Sequence, residues 1–192
     1  DAALPEGVDA ARVLNDYLEE IGGKAKAESI RSKRELARGS MQGMSLEIES
    51  KKTNQQQSSV AVKMMGNTMQ KVVVNKDKGY TEAQGQHIPM GEEQLSAALA
   101  ETAIFAELAL DPANISLAGV VDVDGTKAYE LKISASKSFF YAVDSHLKIK
   151  VSETQEMQGN TITQETLIGD YKEIDGLLFP HKITQSFGPQ KI

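Results

Sequence analysis

Histidine, serine and carboxylate side chains carry much of enzyme chemistry, and this chain has few spacings that would bring them together. Its three histidines, His87, His146 and His181, lie far apart, in contexts typical of turns or strands. A zinc peptidase needs a pair such as H-E-x-x-H or H-x-x-E-H, because that spacing places both imidazoles on one helix face. The chain has neither motif. We therefore expect each histidine to be a surface or strand-end residue.

Other catalytic and metal-binding patterns are missing as well. There is no G-x-S-x-G, and GMSLEIE and GQHIPMG lack the strand-to-helix context of a phosphate-binding loop. Asp111, Asp122 and Asp124 could approach a calcium ion, but VDVDGTK is not followed by the acidic twelfth residue of an EF-hand. The absence of cysteine excludes a thiol nucleophile and thiolate metal sites. The sequence predicts no enzyme, no metal and no cofactor.

Charge and hydropathy limit the partners. A formal net charge of -6 opposes nucleic acid and anionic membrane surfaces as main partners, since both need clustered lysine and arginine. No apolar run approaches the roughly 20 residues of a membrane-spanning helix. The sequence starts at Asp1 rather than Met, as expected of a processed or trimmed protein.

Two segments have helical periodicity. After Asp9, a good N-cap, one apolar stripe is followed by Gly22-Gly23, which ends a helix. The stripe is Val13, Leu14, Tyr17, Leu18 and Ile21. The second segment, 92–110, is apolar nearly all round, which is typical of a helix buried on more than one side. Its large apolar residues are Leu95, Leu99, Ile104, Phe105 and Leu108.

Most of the remaining chain alternates with the period of two that is typical of strands. Hairpin-sized breaks separate these segments and predict about ten or eleven antiparallel strands in a single domain, 1–192. The clearest hairpin is Thr161–Ile183, which turns at Asp175-Gly176 because this dipeptide accepts positive φ angles. Pro180 fits only where no ladder donor is needed, so this hairpin should end the sheet. An open sheet of this size must curl, split or close.

The order of these segments resembles a known family. The helix LPEGVDAARVLNDYLEEIGG is followed by the alternating RGSMQGMSLEIE, and the chain ends with FYAVDSHLKIKVSET and GDYKEIDGLLFPHKI. Together they resemble the outer-membrane lipoprotein-sorting (LolA/LolB-like) superfamily in its Bacteroidetes-type form. The resemblance covers nearly the whole chain, and it depends on the order of the segments more than on any single motif.

The resemblance implies an α+β fold. The family has a strongly curved antiparallel sheet, an unclosed half-barrel, with helices over its concave face. Here the N-terminal helix and the inserted helix 92–110 would cover that face. The implied function is non-enzymatic binding of lipoprotein acyl chains or another hydrophobic ligand, in the periplasm or at the outer membrane. Soluble carriers of the family hold their lid with an arginine from an early strand, for which Arg31, Arg34 and Arg38 are the candidates.

Methionine and aliphatic residues are the predicted ligand-lining groups. Methionine adapts to ligands of varied shape, although it also fills gaps in ordinary cores. Met41, Met44, Met64, Met65, Met69 and Met90 all lie in the first half of the chain. With no Trp and five Phe, few large rings are present to fill a wide curved sheet. The predicted lining consists of Met44, Leu46, Ile48, Val60, Val62, Met64, Leu95, Leu99, Phe105 and Phe179.

Two other functions remain open at this point. Similar sequences occur as non-catalytic C-terminal extensions of pitrilysin-type zinc peptidases, for which DAALPEG would be a linker. An envelope-stress sensor domain that binds lipid or peptide would share the fold. The expected partner is a lipid or lipoprotein acyl chain, with another envelope protein as a further possibility.

Overall fold

The computed structural model describes residues 6–157, 160–187 and 190–191. It divides into two compact units. The first unit combines the chain up to Ala27 with the chain from Leu110 onward, and the second unit is Glu28–Ala109.

Helices and strands follow one another in an α+β order, as predicted. The helices are α1 (Ala10–Glu20), α2 (Lys24–Ser29), α3 (Glu92–Ala100) and α4 (Ala106–Ala109), with a 3-10 turn at Pro112–Asn114. The strands of the second unit are β1 (Ser32–Met41), β2 (Met44–Thr53), β3 (Gln57–Met64), β4 (Asn67–Asn75), β5 (Lys78–Ala83) and β6 (Gln86–Pro89). Those of the first unit are β7 (Ser116–Val123), β8 (Thr126–Lys132), β9 (Lys137–Ala142), β10 (Lys148–Met157), β11 (Asn160–Ile174), β12 (Leu177–Phe187) and β13 (Gln190–Lys191).

The strands form two sheets, in which each strand pairs antiparallel with its neighbours in sequence. One sheet has six strands in the order β1 to β6, and the other has seven in the order β13 to β7. The α+β class and the antiparallel order are confirmed, but the prediction of one sheet with about ten or eleven strands is wrong. Part of the error lies in β5 and β6, which have little apolar alternation. They are joined by Gln84-Gly85, a turn with positive φ at both residues but without the usual Asn or Asp signal.

Helix α1 forms as predicted and packs on the seven-stranded sheet. The Asp9 carboxylate accepts a hydrogen bond from the Arg12 backbone N–H at 2.8 Å, and Gly22-Gly23 follows the helix with positive φ angles. The apolar stripe of α1 is buried. Tyr17 meets Tyr141 of β9 edge to face, with the ring centroids 5.3 Å apart.

The predicted hairpin turns at Asp175-Gly176 and joins β11 to β12. The Leu178 N–H points away from β11 and donates to the Ile21 carbonyl at 2.8 Å. Pro180, two residues further on, has no N–H to place on this side, which explains why proline is tolerated there. The prediction that this hairpin ends the sheet is wrong at its far end, because β13 pairs with Ser186 and Phe187 of β12.

The predicted helix 92–110 is divided into α3 and α4. The Thr102 hydroxyl donates to the Leu99 carbonyl at 2.8 Å, a local bond that competes with helix continuation. Burial on several sides is also wrong for α3, because none of its residues is fully buried. Phe105 and Glu107, beyond the break, are 6% and 4% exposed.

Candidate functional site

One face of the six-stranded sheet carries the aliphatic and methionine side chains of the second unit. Directly paired residues of antiparallel strands share a face, and the register pairs Leu46 with Met64 and Ile48 with Val62. The register of β3 and β4 adds Val72, opposite Val60. We call this surface the apolar face. Its members are Met44, Leu46, Ile48, Val60, Val62, Met64, Val72 and Val74.

The structure brings nine of the ten predicted lining residues into the second unit. Six of them lie on the apolar face and are half-buried: Met44, Leu46, Ile48, Val60, Val62 and Met64. Leu95 and Leu99 lie on α3 and are also half-buried, and Phe105 follows α3 and is buried. Phe179 is half-buried on β12 of the first unit, so it belongs to a different sheet.

The segment that contains α3 is attached at one end of the apolar face. Gly79 of β5 pairs with Val74, and a Cβ atom at Gly79 would lie 2.6 Å from Met90 Sδ and 3.2 Å from Leu95 Cδ1. The missing Cβ of Gly79 thus leaves room for Met90 and Leu95 to approach β5 this closely. Val74, beside it, is only 2% exposed.

Lys52 of β2 holds the other end of the segment. Its ammonium donates to the Glu101 carbonyl at 2.6 Å and to the Ala103 carbonyl at 3.2 Å. Lys33, which pairs with Lys52 across β1 and β2, lies with its Nζ 5.8 Å from the centroid of the Phe105 ring. The register places Lys33, Lys52, Val74 and Gly79 in one row across the sheet. The segment therefore lies along this row, and the neighbouring rows contain Ile48, Val62, Leu46 and Met64.

The arginines considered for holding a lid lie elsewhere. Arg34 and Arg38 of β1 point to the opposite face, where they bind Glu49 at 2.8 Å and Glu47 at 3.2 Å. Arg31 precedes β1, and its carbonyl accepts from Asn54. Lysine at position 52 makes the contact instead. Strand alternation could have placed Lys52 on the same face as Ile48, since the two have the same parity, but it could not have identified the Glu101 and Ala103 carbonyls as its partners.

The face opposite the apolar face is polar. Arg38 and Lys63 both contact Glu47, and Lys51 and Arg34 both contact Glu49. Hydrogen bonds from Arg38 and Lys63 lower the pKa of the Glu47 carboxyl, and those from Lys51 and Arg34 lower the pKa of the Glu49 carboxyl. The two carboxylates thus remain ionised to lower pH than ordinary glutamates.

The histidines do not come together. The His87 ring stacks on Tyr80 at 4.8 Å, with Nε2 3.5 Å from Glu82, and His181 Nδ1 lies 2.9 Å from the Phe179 carbonyl oxygen. His146 occupies a turn with φ of 56°. Among the described residues, no group of three His, Asp or Glu side chains could hold a metal ion.

The aspartates considered for calcium have local roles in turns. Asp111 accepts from the Ala113 N–H at 3.0 Å and caps the 3-10 turn. Asp122 accepts from the Gly125 N–H at 2.8 Å and closes the hairpin between β7 and β8. These hydrogen bonds give a structural reason for aspartate at both positions.

Comparison with solved structures finds a protein of similar fold. The chain matches a LolA superfamily protein from Nitrosomonas europaea with a TM-score of 0.51 and 13% sequence identity, over 93% of this chain and 86% of that one. At this identity the match shows a LolA-like fold. No protein-family model matches the sequence, and no curated protein is similar enough in sequence to match. In the described residues, no helix is long and apolar enough to cross a membrane.

Proposed function

We propose that this protein binds a lipoprotein acyl chain, or another hydrophobic ligand, on the apolar face of the six-stranded sheet. The observation that carries the proposal is the half-burial of Leu46, Ile48, Val62 and Met64, next to a helical segment that crosses only one end of that face. Covering each CH₂ group of an acyl chain would contribute roughly 0.8 kcal/mol. The many CH₂ groups of one acyl chain together then supply enough hydrophobic free energy for stable binding.

The ligand would enter beside the α3 segment. Leu95 and Leu99 are half-buried and no residue of α3 is fully buried, so little packing resists a displacement of this helix. The two hydrogen bonds from Lys52 act at the C-terminal end of α3. In this mechanism the Lys52 contacts keep the segment over the face, and their loss lets it move away.

On this proposal the binding belongs to lipoprotein or lipid handling, which the LolA-like fold supports. On this proposal residues 1–192 act as one LolA-like, non-enzymatic domain of the periplasm or the outer membrane. The narrower likeness to Bacteroidetes-type members belongs to the proposal as well. So does the lining role of Phe105.

Native mass spectrometry of protein purified from cells tests the proposal. The protein is then extracted with solvent and titrated with a fluorescent fatty acid. We expect a bound mass that extraction removes, and saturable uptake by the extracted protein. Val62→Asp should abolish uptake because it places a charge on the apolar face. Ser59→Asp is the matched control, since it adds the same charge to the opposite face of β3. A clean apo mass without uptake, or equal loss in both variants, would contradict the proposal.

A further inference from the structure

The face of the six-stranded sheet opposite the apolar face has an excess of positive charge. The register places six cationic side chains on it, Arg34, Arg38, Lys51, Lys63, Lys71 and Lys78. The same face has three carboxylates, Glu47, Glu49 and Glu82. We call this surface the basic face. It is positive although the whole chain has a formal net charge of -6.

The ion pairs on the basic face do not neutralise it. Glu47 lies between Arg38 and Lys63, and Glu49 lies between Arg34 and Lys51, so each carboxylate is shared by two cations. Three of the cations are well exposed to solvent, with side-chain exposures of 67% for Arg34, 73% for Arg38 and 58% for Lys51. The lowered pKa values of both glutamates agree with a locally positive potential.

The composition of this surface distinguishes between possible partners. The core of a protein–protein interface is apolar and aromatic and is depleted of charge. On the basic face the charged residues extend over β1 to β5. Its apolar and aromatic side chains are few: Leu36 at the edge, 42% exposed, Ala61 near the centre, 9% exposed, and the half-buried Val73 and Tyr80. Arginine binds phosphate oxygens with its planar fork, and lysine adds a mobile point charge. The phosphate headgroups of a fluid membrane can rearrange around these side chains, so binding to a membrane requires no shape complementarity.

We propose that the basic face docks onto a membrane surface that contains anionic phospholipids. Each lysine or arginine near such a surface favours binding through its charge, and the effect is confined to a Debye length. The positive charge of the basic face would then orient the six-stranded sheet with this face towards the lipid. Membrane docking uses the face opposite the apolar face, so it goes beyond ligand binding and can fail independently of it.

Sedimentation with vesicles tests the docking surface. Protein freed of bound lipid by solvent extraction is mixed with one of two kinds of vesicle, at low and at high salt. One kind is phosphatidylcholine alone, and the other contains about one third phosphatidylglycerol. We expect binding only to the anionic vesicles, and release by salt. The variant Arg34→Gln/Arg38→Gln/Lys51→Gln should lose at least about tenfold in partitioning, because each cation near an anionic surface contributes roughly fivefold. Exposed ion pairs contribute little to stability, so this variant should fold.

A matched variant separates the basic face from net charge. Lys127→Gln/Lys132→Gln/Lys182→Gln removes three exposed lysines of the first unit and changes the net charge by the same amount. It should bind anionic vesicles like the unaltered protein. Equal losses in both triple variants, or no binding of the unaltered protein to anionic vesicles, would overturn the proposal. Retention on immobilised polyglutamate without vesicle binding would also overturn it, and would indicate an acidic protein partner. Fatty-acid uptake by the same samples reports separately on ligand binding.

Discussion

The two sheets are both overlaid by helical segments, yet they are packed to very different degrees. In the first unit, Leu14 and Ile21 of α1 are 3% and 0% exposed, and Leu131 and Tyr141 of the sheet are both 0% exposed. In the described part of the second unit, the fully buried hydrophobic residues are Ala61, Val74 and Phe105. The first unit has a closed core, and the second has an apolar surface that is only partly covered. We infer that the first unit supplies stability and that the second unit is the one adapted to bind.

Gly22 and Gly79 each lie at a close contact between a helical segment and a strand, and their alanine variants should differ most in the free energy of unfolding. An alanine at Gly22 would overlap the Gly176 carbonyl oxygen, and it would have to adopt a φ of 125°. An alanine at Gly79 would meet the movable side-chain ends of Met90 and Leu95. We expect Gly22→Ala to lower the free energy of unfolding by about 4–5 kcal/mol and Gly79→Ala by about 1 kcal/mol. Urea unfolding measures both, and similar losses would argue against the contrast.

A matched pair of leucines gives the next largest effect. Leu131 is 0% exposed, whereas Leu46 is half-buried on the apolar face. Truncation of a fully buried leucine leaves a cavity, so Leu131→Ala should cost about 3–4 kcal/mol in unfolding free energy. Leu46→Ala should cost about 1 kcal/mol, because little packing is lost. If both variants lose the same stability in urea, the apolar face is an ordinary core.

Removal of the Lys52 ammonium tests whether the α3 segment is a movable cover. Lys52→Met deletes the hydrogen bonds to the Glu101 and Ala103 carbonyls, and bonds from a charged donor contribute about 1.5–3 kcal/mol. Displacement of the segment should become easier, so we expect stopped-flow uptake of a fluorescent fatty acid to accelerate by about tenfold. Lys52→Arg keeps the charge and the donors and should take up ligand at nearly the original rate. Unchanged uptake by Lys52→Met would refute the role of this contact.

Removal of the Glu47 and Glu49 carboxylates should give the smallest effect. It should strengthen vesicle binding, whereas removal of the cations weakens it. Glu47→Gln/Glu49→Gln makes the basic face more positive, so partitioning onto anionic vesicles should rise several-fold. The free energy of unfolding should change little, and the change should depend on pH. Because the pKa of both carboxyls is lowered, their stabilising effect is present above the ordinary glutamate pKa and is lost as the pH falls through the lowered value. The variant and the unaltered protein should therefore converge in acid, as followed by thermal unfolding.

Local patterns in the sequence predicted the elements that depend on local chemistry. Asp9, the apolar stripe and Gly22-Gly23 define α1, and Asp175-Gly176 defines the hairpin of β11 and β12. The alternation in β2 and β3 also placed Ile48 and Val62 in one set, and the observed register confirms that they share a face. These predictions held because side-chain direction in a strand follows sequence parity.

The errors concern features that depend on contacts between distant residues. The apolar pattern of 92–110 continues through Phe105, so nothing in its periodicity marks the bond from Thr102 to Leu99 that accompanies the break. In the sequence, Lys52 looks like any other lysine of a strand. Its partners, the Glu101 and Ala103 carbonyls, lie about fifty residues further along the chain. The division into two sheets depends on which strands pair, and alternation alone leaves pairing open.

Intermolecular NOEs between methyl-labelled protein and a bound fatty acid test the central claim most directly. We predict NOEs from the acyl chain to the methyl groups of Met44, Ile48, Val62 and Met64 on the apolar face. The methyl groups of Leu14 and Leu131, in the packed core of the first unit, should show none. NOEs to Leu14 and Leu131, with none to the apolar face, would contradict the account, and so would a protein that shows no NOE to any fatty acid.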